Sequence, residues 1–237
     1  VVIPMFKSAE IEQIATYSVP GGSENETLYI AMEEQREVGL RVTNLGEVVF
    51  FNTTTGEIRN KVDLGLADDV SITAIANGDQ TERMVGLGLS DGRVLFLQHN
   101  YAVSFPNDVR LIAPSIFYPF GSEPIQINEL GEQVVHLSVQ YDGEEATIVT
   151  HGNDSTIKLL NLMKEESMLS DEVEITREQS FITLDTDDVI AVRVDIEQRE
   201  MYVADGLGNI YYYDISNKSE PRLVQKVKAV DDGIKIT

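Results

Sequence analysis

Cysteine is absent from the 237 residues, which excludes disulfides, thiolate metal centres and a cysteine nucleophile. The compartment stays open, because a reducing cytoplasm and a cysteine-poor bacterial periplasm both accommodate such a chain. Also missing is any apolar run near the roughly 20 residues of a membrane-spanning helix. Basic residues are scarce: 18 Lys and Arg stand against 40 Asp and Glu, a formal charge of −22. That field repels phosphate backbones and anionic lipid surfaces, which argues against nucleic acid and favours cationic or neutral partners. No block of like charge is long, so the acidity reads first as a solvated surface. Hydrophobic residues at 42% and charged ones at 24% are ordinary for a globular chain able to bury a core. At this length a single domain over residues 1–237 is expected.

What the sequence does contain is a recurring hairpin. In Arg199–Ser216 (REMYVADGLGNIYYYDIS) β-branched and aromatic residues flank an Asp205-Gly206-Leu207-Gly208 bend. Asp and Gly supply the positive backbone angles that a tight hairpin needs. Three earlier segments repeat the scheme: GLRVTNLGEVVFFNTTTG, MVGLGLSDGRVLFLQ and TIVTHGNDSTIKLLNL. Taken in order, the first unit predicts strands at 27–32, 38–43, 47–52 and 57–64. The second predicts 70–76, 83–89 and 93–98, with its fourth strand unplaced in the proline-bearing tract Tyr101–Asn128, which has room for an extra hairpin or a long excursion. The third predicts 133–141, 146–150 and 156–162, a helical or loop insertion over Met163–Asp171, and an outer strand over 173–184. The fourth predicts 189–196, 200–204, 209–215 and 222–230.

The bends end at Gly46, Gly92, Ser155 and Gly208, spaced 46, 63 and 53 residues apart. Removing the proline tract or the insertion brings the longer gaps to roughly the 40–50 residues of a propeller blade. A four-stranded meander cannot shelter both its faces alone, so such units stack radially. The fold class is therefore all-β, a β-propeller of four-stranded antiparallel blades. A β-sandwich is the rival, but it does not need the bend to recur at one place in each unit. Residues 233–237 look like the inner strand of a fifth unit, and a strand over 13–19 would serve as an outer closing strand, with a helix over 8–14 as its alternative. Four units and the start of a fifth suggest an incomplete propeller cut from a larger protein. Its open strand edges would admit a homo-oligomer.

No catalytic constellation emerges, and no cofactor or metal site is expected. His99, His136 and His151 lie in or beside predicted strands without ligand spacing. Asp185, Asp187 and Asp188 resemble an oxygen-ligand calcium loop but lack its glycine and distal glutamate. Gly86-Leu87-Gly88 and Gly206-Leu207-Gly208 fall in strand-turn-strand context with no helix to receive a phosphate, so they are turn and packing glycines. Tyr211-Tyr212-Tyr213 alternates across a strand, which favours core packing over ligand stacking. No G-x-S-x-G elbow is present. The N-x-[ST] sequences at Asn25, Asn52, Asn153 and Asn217 matter only in a eukaryotic secretory protein.

The opening VVIPMFKSAEIEQIATYSVPG resembles the segment after the first membrane helix in a family of bacterial ABC-transporter permeases, the extended phosphate-permease-like proteins of Gram-negative bacteria, similar to the PstC type. DDGIKIT resembles the run-in to a later strand of the same extracytoplasmic region, and VGLGLSDGRVLFLQ and VADGLGNIYYYDI resemble its blade strands. The resemblance implies a periplasmic propeller domain of an inner-membrane protein, with Val1–Phe6 as the exit of a transmembrane helix. It implies phosphate import by the parent protein, and a non-catalytic accessory domain meeting another transporter subunit or the solute-binding protein. It places no phosphate site here, and a surface of charge −22 without an Arg cluster is a poor one. The alternative is a soluble scaffold propeller of the WD40 kind for protein–protein interaction. An enzyme working in a propeller's central channel would need carboxylates or histidines converging at one mouth, which the sequence does not reveal.

Overall fold

The computed structural model describes residues 25–78, 83–129, 131–166, 173–195, 197 and 199–230. Among them four antiparallel sheets follow one another in chain order. Sheet one holds β1 (Thr27–Glu33), β2 (Val38–Thr43), β3 (Glu47–Asn52) and β4 (Ile58–Asp63). Sheet two holds β5 (Ile72–Asn77), β6 (Met84–Leu89), β7 (Arg93–Ser104) and β8 (Leu111–Phe117), with the short β9 (Ile125–Gln126) paired to the start of β7. Sheet three holds β10 (His136–Tyr141), β11 (Glu145–His151), β12 (Thr156–Glu166) and β13 (Val173–Thr183). Sheet four holds β14 (Val189–Asp195), β15 (Glu200–Asp205), β16 (Asn209–Asp214) and β17 (Arg222–Lys228). Strand β10 packs against both β5 and β14, so the first strands of successive sheets lie side by side. This is the fanned arrangement of a β-propeller, and the sandwich alternative is gone.

The repeat is visible in the hydrogen bonding. The central hairpins close on the same spacing, through the partners Val42 and Val48, Gly88 and Val94, His151 and Ile157, and Ala204 and Ile210. The carbonyl of Gly46 accepts from Leu64 N–H, that of Gly92 from Ile127, that of Ser155 from Leu184 and that of Gly208 from Ala229. These are the four bend ends picked out by the sequence spacing. Gly46, Gly92 and Gly208 have φ of 81°, 88° and 85°, a region open to glycine without strain. Register irregularities recur too, between Thr27 and Tyr29, Ile72 and Ala74, and Val189 and Ala191, always at the entry of the first strand.

Alternation along each strand makes two faces, and neighbouring sheets bury them against each other. Leu40, Val42, Val48 and Phe50 of sheet one pack with Val85, Leu87, Leu95 and Leu97 of sheet two. Val94 and Phe96 of sheet two pack with Val134, Leu137, Val139, Ile148 and Leu160 of sheet three. Val149, Ile157 and Leu159 of sheet three pack with Val192, Met201, Val203, Tyr211 and Tyr213 of sheet four. Each large side chain buried in these joints contributes about 1.5–3 kcal/mol.

Two expectations are corrected or completed. Met163–Glu166 is strand, not helix or loop: it extends β12, with Met163 opposite Thr176 and Glu166 opposite Val173. Lys and Glu favour helix only weakly, and cross-strand pairing with β13 overrides that preference. Residues 167–172 lie outside the described residues. The proline tract supplies the missing fourth strand: β7 runs on to Ser104 and β8 returns along it. Pro114 is tolerated because β8 is an edge strand, where its missing N–H breaks no ladder. The expected strand at 13–19, the alternative helix at 8–14, the helix exit at 1–6 and the fifth-unit strand at 233–237 lie outside the described residues.

Gly86 and Gly88 are packing glycines, as expected. A Cβ on Gly88 would stand 2.6 Å from Val134 Cγ1, and one on Gly86 would stand 2.7 Å from Val139 Cγ2. Gly88→Val is therefore expected to destabilise the protein by about 1–3 kcal/mol through overpacking. Circular dichroism would register a fall of several degrees in the thermal midpoint. An unchanged midpoint would mean that sheets two and three do not meet at this residue.

Candidate interaction surface

Polar side chains at equivalent places tie the loops to the sheets. In sheet three the position opposite Thr150 is Lys158, in sheet four the position opposite Val203 is Tyr211. Lys158 is buried, and its Nζ donates to Glu132 at 2.7 Å and to Asp154 at 3.4 Å. Tyr211 donates to Asp185 at 2.7 Å and to Asp205 at 3.0 Å. In both sheets one side chain of the third strand thus links the incoming loop to the hairpin bend. Burial, with the two facing carboxylates, pushes the Tyr211 phenol up to about 12. Burial alone would raise Asp205, but hydrogen bonds from Asn209 and Tyr211 hold it below the usual carboxylate range. These groups are structural latches.

A cleft of about 300 Å³ opens between sheets one and two, lined by Met32, Glu33, Asn77, Arg83, Met84 and His99. Arg83 donates to Glu33 at 3.0 Å, and its guanidinium lies 4.9 Å from the centre of the Tyr101 ring. The Tyr101 hydroxyl sits 3.0 Å from His99 Nδ1. Burial, and secondarily the Arg83 charge, lowers the His99 pKa to about 4. Burial likewise pushes Tyr101 up to about 12. The cleft presents a neutral imidazole of lowered basicity beside Glu33, whose carboxylate pairs with both Arg83 and Arg36, the latter at 3.5 Å.

An exposed apolar group sits on the β7–β8 hairpin, which extends beyond its blade. Phe105 and Val109 at its tip are each 65% exposed, and Leu111 is 53% exposed. The arm is tied to sheet one at two places: Arg110, beside the tip, donates to the Gln35 carbonyl at 2.8 Å, and nearer the base Asn60 Nδ2 donates to the Pro114 carbonyl at 3.2 Å. Exposed apolar side chains on a braced arm make it a candidate contact surface.

The residues singled out by sequence are placed as follows. His136 and His151 are register partners with rings stacked at 5.5 Å. Their Nε2–H groups donate to the carbonyls of Val189 and Asp154, so both pin the backbone. Among the described residues no three His, Asp or Glu side chains gather in a metal-binding arrangement. Asp185 faces Tyr211 and Lys226 rather than Asp187 and Asp188. Tyr211 and Tyr213 are core, while Tyr212 lies on the opposite face, stacked on Tyr202 at 5.4 Å. Arg83, Tyr101 and the apolar arm went unmarked; the arm lay within the tract left open for an extra hairpin.

No family model and no curated protein matches the chain. Solved structures do. The crystal structure of BBS1N in complex with ARL6DN is similar over 87% of this chain and 53% of that one, at 12% identity and a TM-score of 0.51. The RRP9 WD40 repeats and U3-55K each align over 85% of this chain and 52% of theirs, at 8% identity and a TM-score of 0.46. The likeness is one of fold. This chain spans about half the length of the solved chains it matches.

His99 sets an acid limit on stability. Its folded pKa of about 4 lies below the ordinary 6.5, so the unfolded chain takes the proton first. Stability is full above about pH 6.5 and falls by about 3 kcal/mol as the pH drops to 4. His99→Gln keeps an acceptor for Tyr101 and removes the titration. Urea unfolding of both proteins from pH 7 to 4 should show the wild type losing more over that window, and parallel curves would remove His99 as the cause.

Proposed function

We propose that the chain is a non-catalytic protein-interaction propeller whose contact surface includes the β7–β8 arm. The observation that carries this is the exposure of Phe105, Val109 and Leu111 on a hairpin tied to sheet one. The acidic surface, with its formal charge of −22, supports a neutral or basic protein partner. BBS1N, whose fold is similar, was crystallised in complex with another protein, ARL6DN.

The finer proposal rests on the permease resemblance of the opening and closing segments. The chain would be the periplasmic domain of a bacterial inner-membrane permease of the phosphate-import type, and its partner a transporter subunit or the solute-binding protein. The arm would make that contact, and no phosphate would bind here. A soluble scaffold of the WD40 kind is the outcome to distinguish.

Immobilised protein is expected to capture the phosphate solute-binding protein or a transporter subunit from periplasmic extract. Phe105→Asp with Leu111→Asp should weaken capture by about tenfold or more, since buried aromatic and aliphatic anchors dominate interfaces. The same pair should leave the thermal midpoint nearly unchanged because both side chains are exposed. Capture no better than a scrambled control, together with phosphate uptake unaffected by deleting the domain, would end the transporter assignment. Capture of cytoplasmic proteins alone, lost with the arm variant, would favour the scaffold.

A further inference from the structure

Each of the first three sheets turns one face to the sheet that follows, and the same register positions build that face every time. In sheet one they are Leu40, Val42, Val48 and Phe50; in sheet two Gly86, Gly88, Val94 and Phe96; in sheet three Val149, His151, Ile157 and Leu159. All of these are buried. In sheet four the equivalent positions are Tyr202, Ala204, Ile210 and Tyr212, flanked by Ala191 and Val227. Here the face stands open: Tyr202 is 40% exposed, Ile210 36% and Val227 42%.

We propose that this face seats a further four-stranded sheet of the same repeat, belonging to the same polypeptide. Three features point to that occupant. Small residues line the seam between the first two strands, Ala191 opposite Ala204, as Ala74 stands opposite Gly88 in sheet two. In sheet two that gap receives Val134, two residues ahead of the first strand of the following sheet, so the occupant carries a β-branched side chain on the approach to its first strand.

The polar rim repeats as well. In sheet three Thr147 and Asn161 are hydrogen-bonded, and Lys218 from the third-to-fourth-strand loop of sheet four reaches across to Asn161 at 3.1 Å and to Glu145. Glu200 and Asp214 occupy the positions of Thr147 and Asn161 in sheet four. Glu200 accepts from Tyr212 at 2.8 Å and Asp214 from Arg222 at 3.1 Å, and a basic residue in the corresponding loop of the occupant adds to this acidic rim. Finally, the chain matches the BBS1N chain in fold over only 53% of that chain's length. A second copy is a poorer occupant, since each copy brings a formal charge of −22.

The test uses the complete polypeptide. This chain has no cysteine, so Tyr202→Cys adds one thiol whose maleimide labelling is followed by peptide mass spectrometry. Leu207→Cys, at a bend residue that is 53% exposed, is the control. Labelling at position 202 should be slower than at 207 by about 100-fold or more if a sheet lies on it. Nitration of unmodified protein should spare Tyr202 and Tyr212 in the same way, which covers the case where the variant does not fold. Labelling at equal rates would overturn the proposal. So would protection that disappears on dilution, which would make the occupant a second copy.

Discussion

A four-stranded sheet is one residue layer thick and has apolar side chains on both sides, and every other feature of this protein follows from sheltering them. One face of sheet one is closed by Val85, Leu87, Leu95 and Leu97. The opposite face of sheet two must then be closed by sheet three, and so along the chain. No joint is optional, because removing one would expose an area of large aliphatic side chains well beyond what single-sheet pairing stabilises. The joints also explain why the glycines fall where they do. Gly86 and Gly88 lie in mid-strand, where glycine weakens a sheet, yet Val134 and Val139 occupy the space that side chains there would need. Strand propensity is given up locally for closeness between sheets.

The propeller was legible because its signals are local and repeated. Gly46, Gly92 and Gly208 each require a left-handed backbone, and that requirement shows in sequence as glycine at one place in each unit. Ser155 shows that the hydrogen bond, rather than the residue type, is what repeats: its carbonyl accepts from Leu184 as the glycines' carbonyls accept from their partners. The insertion at Met163–Glu166 was illegible for a matching reason. Its composition suits a helix, and only pairing with Val173–Thr176, 7 to 13 residues on, decides for strand. The fourth strand of sheet two was hidden by prolines, which exclude a central strand but not an edge one.

The polar groups were legible as residues and not as relationships. Lys158 and Tyr211 share nothing in sequence, yet each sits at the same register position and joins a loop carboxylate to a bend carboxylate. What the fold needs at that position is a donor of the right reach, and a lysine or a phenol meets it. His99 is a similar case: its neutral state comes from burial and from Arg83, its neighbour across the β6–β7 pair, whose carbonyl accepts from His99 N–H. His136 and His151 meet because they are register partners, at a separation in sequence that carries no motif.

The contact arm sits where the constraint on the sheets ends. Up to about Tyr101 and Pro114, β7 and β8 carry side chains buried in the joint with sheet one, so substitution there disturbs packing. Beyond them Val103, Phe105, Val109 and Leu111 touch little of the blade and stay exposed. The tip can therefore change its chemistry at almost no cost to the fold, while the Arg110–Gln35 and Asn60–Pro114 hydrogen bonds hold its direction. Rigid support with a free tip is what lets a loop acquire a binding role independently of its scaffold. The residues that would carry the proposed recognition are those the architecture leaves unconstrained.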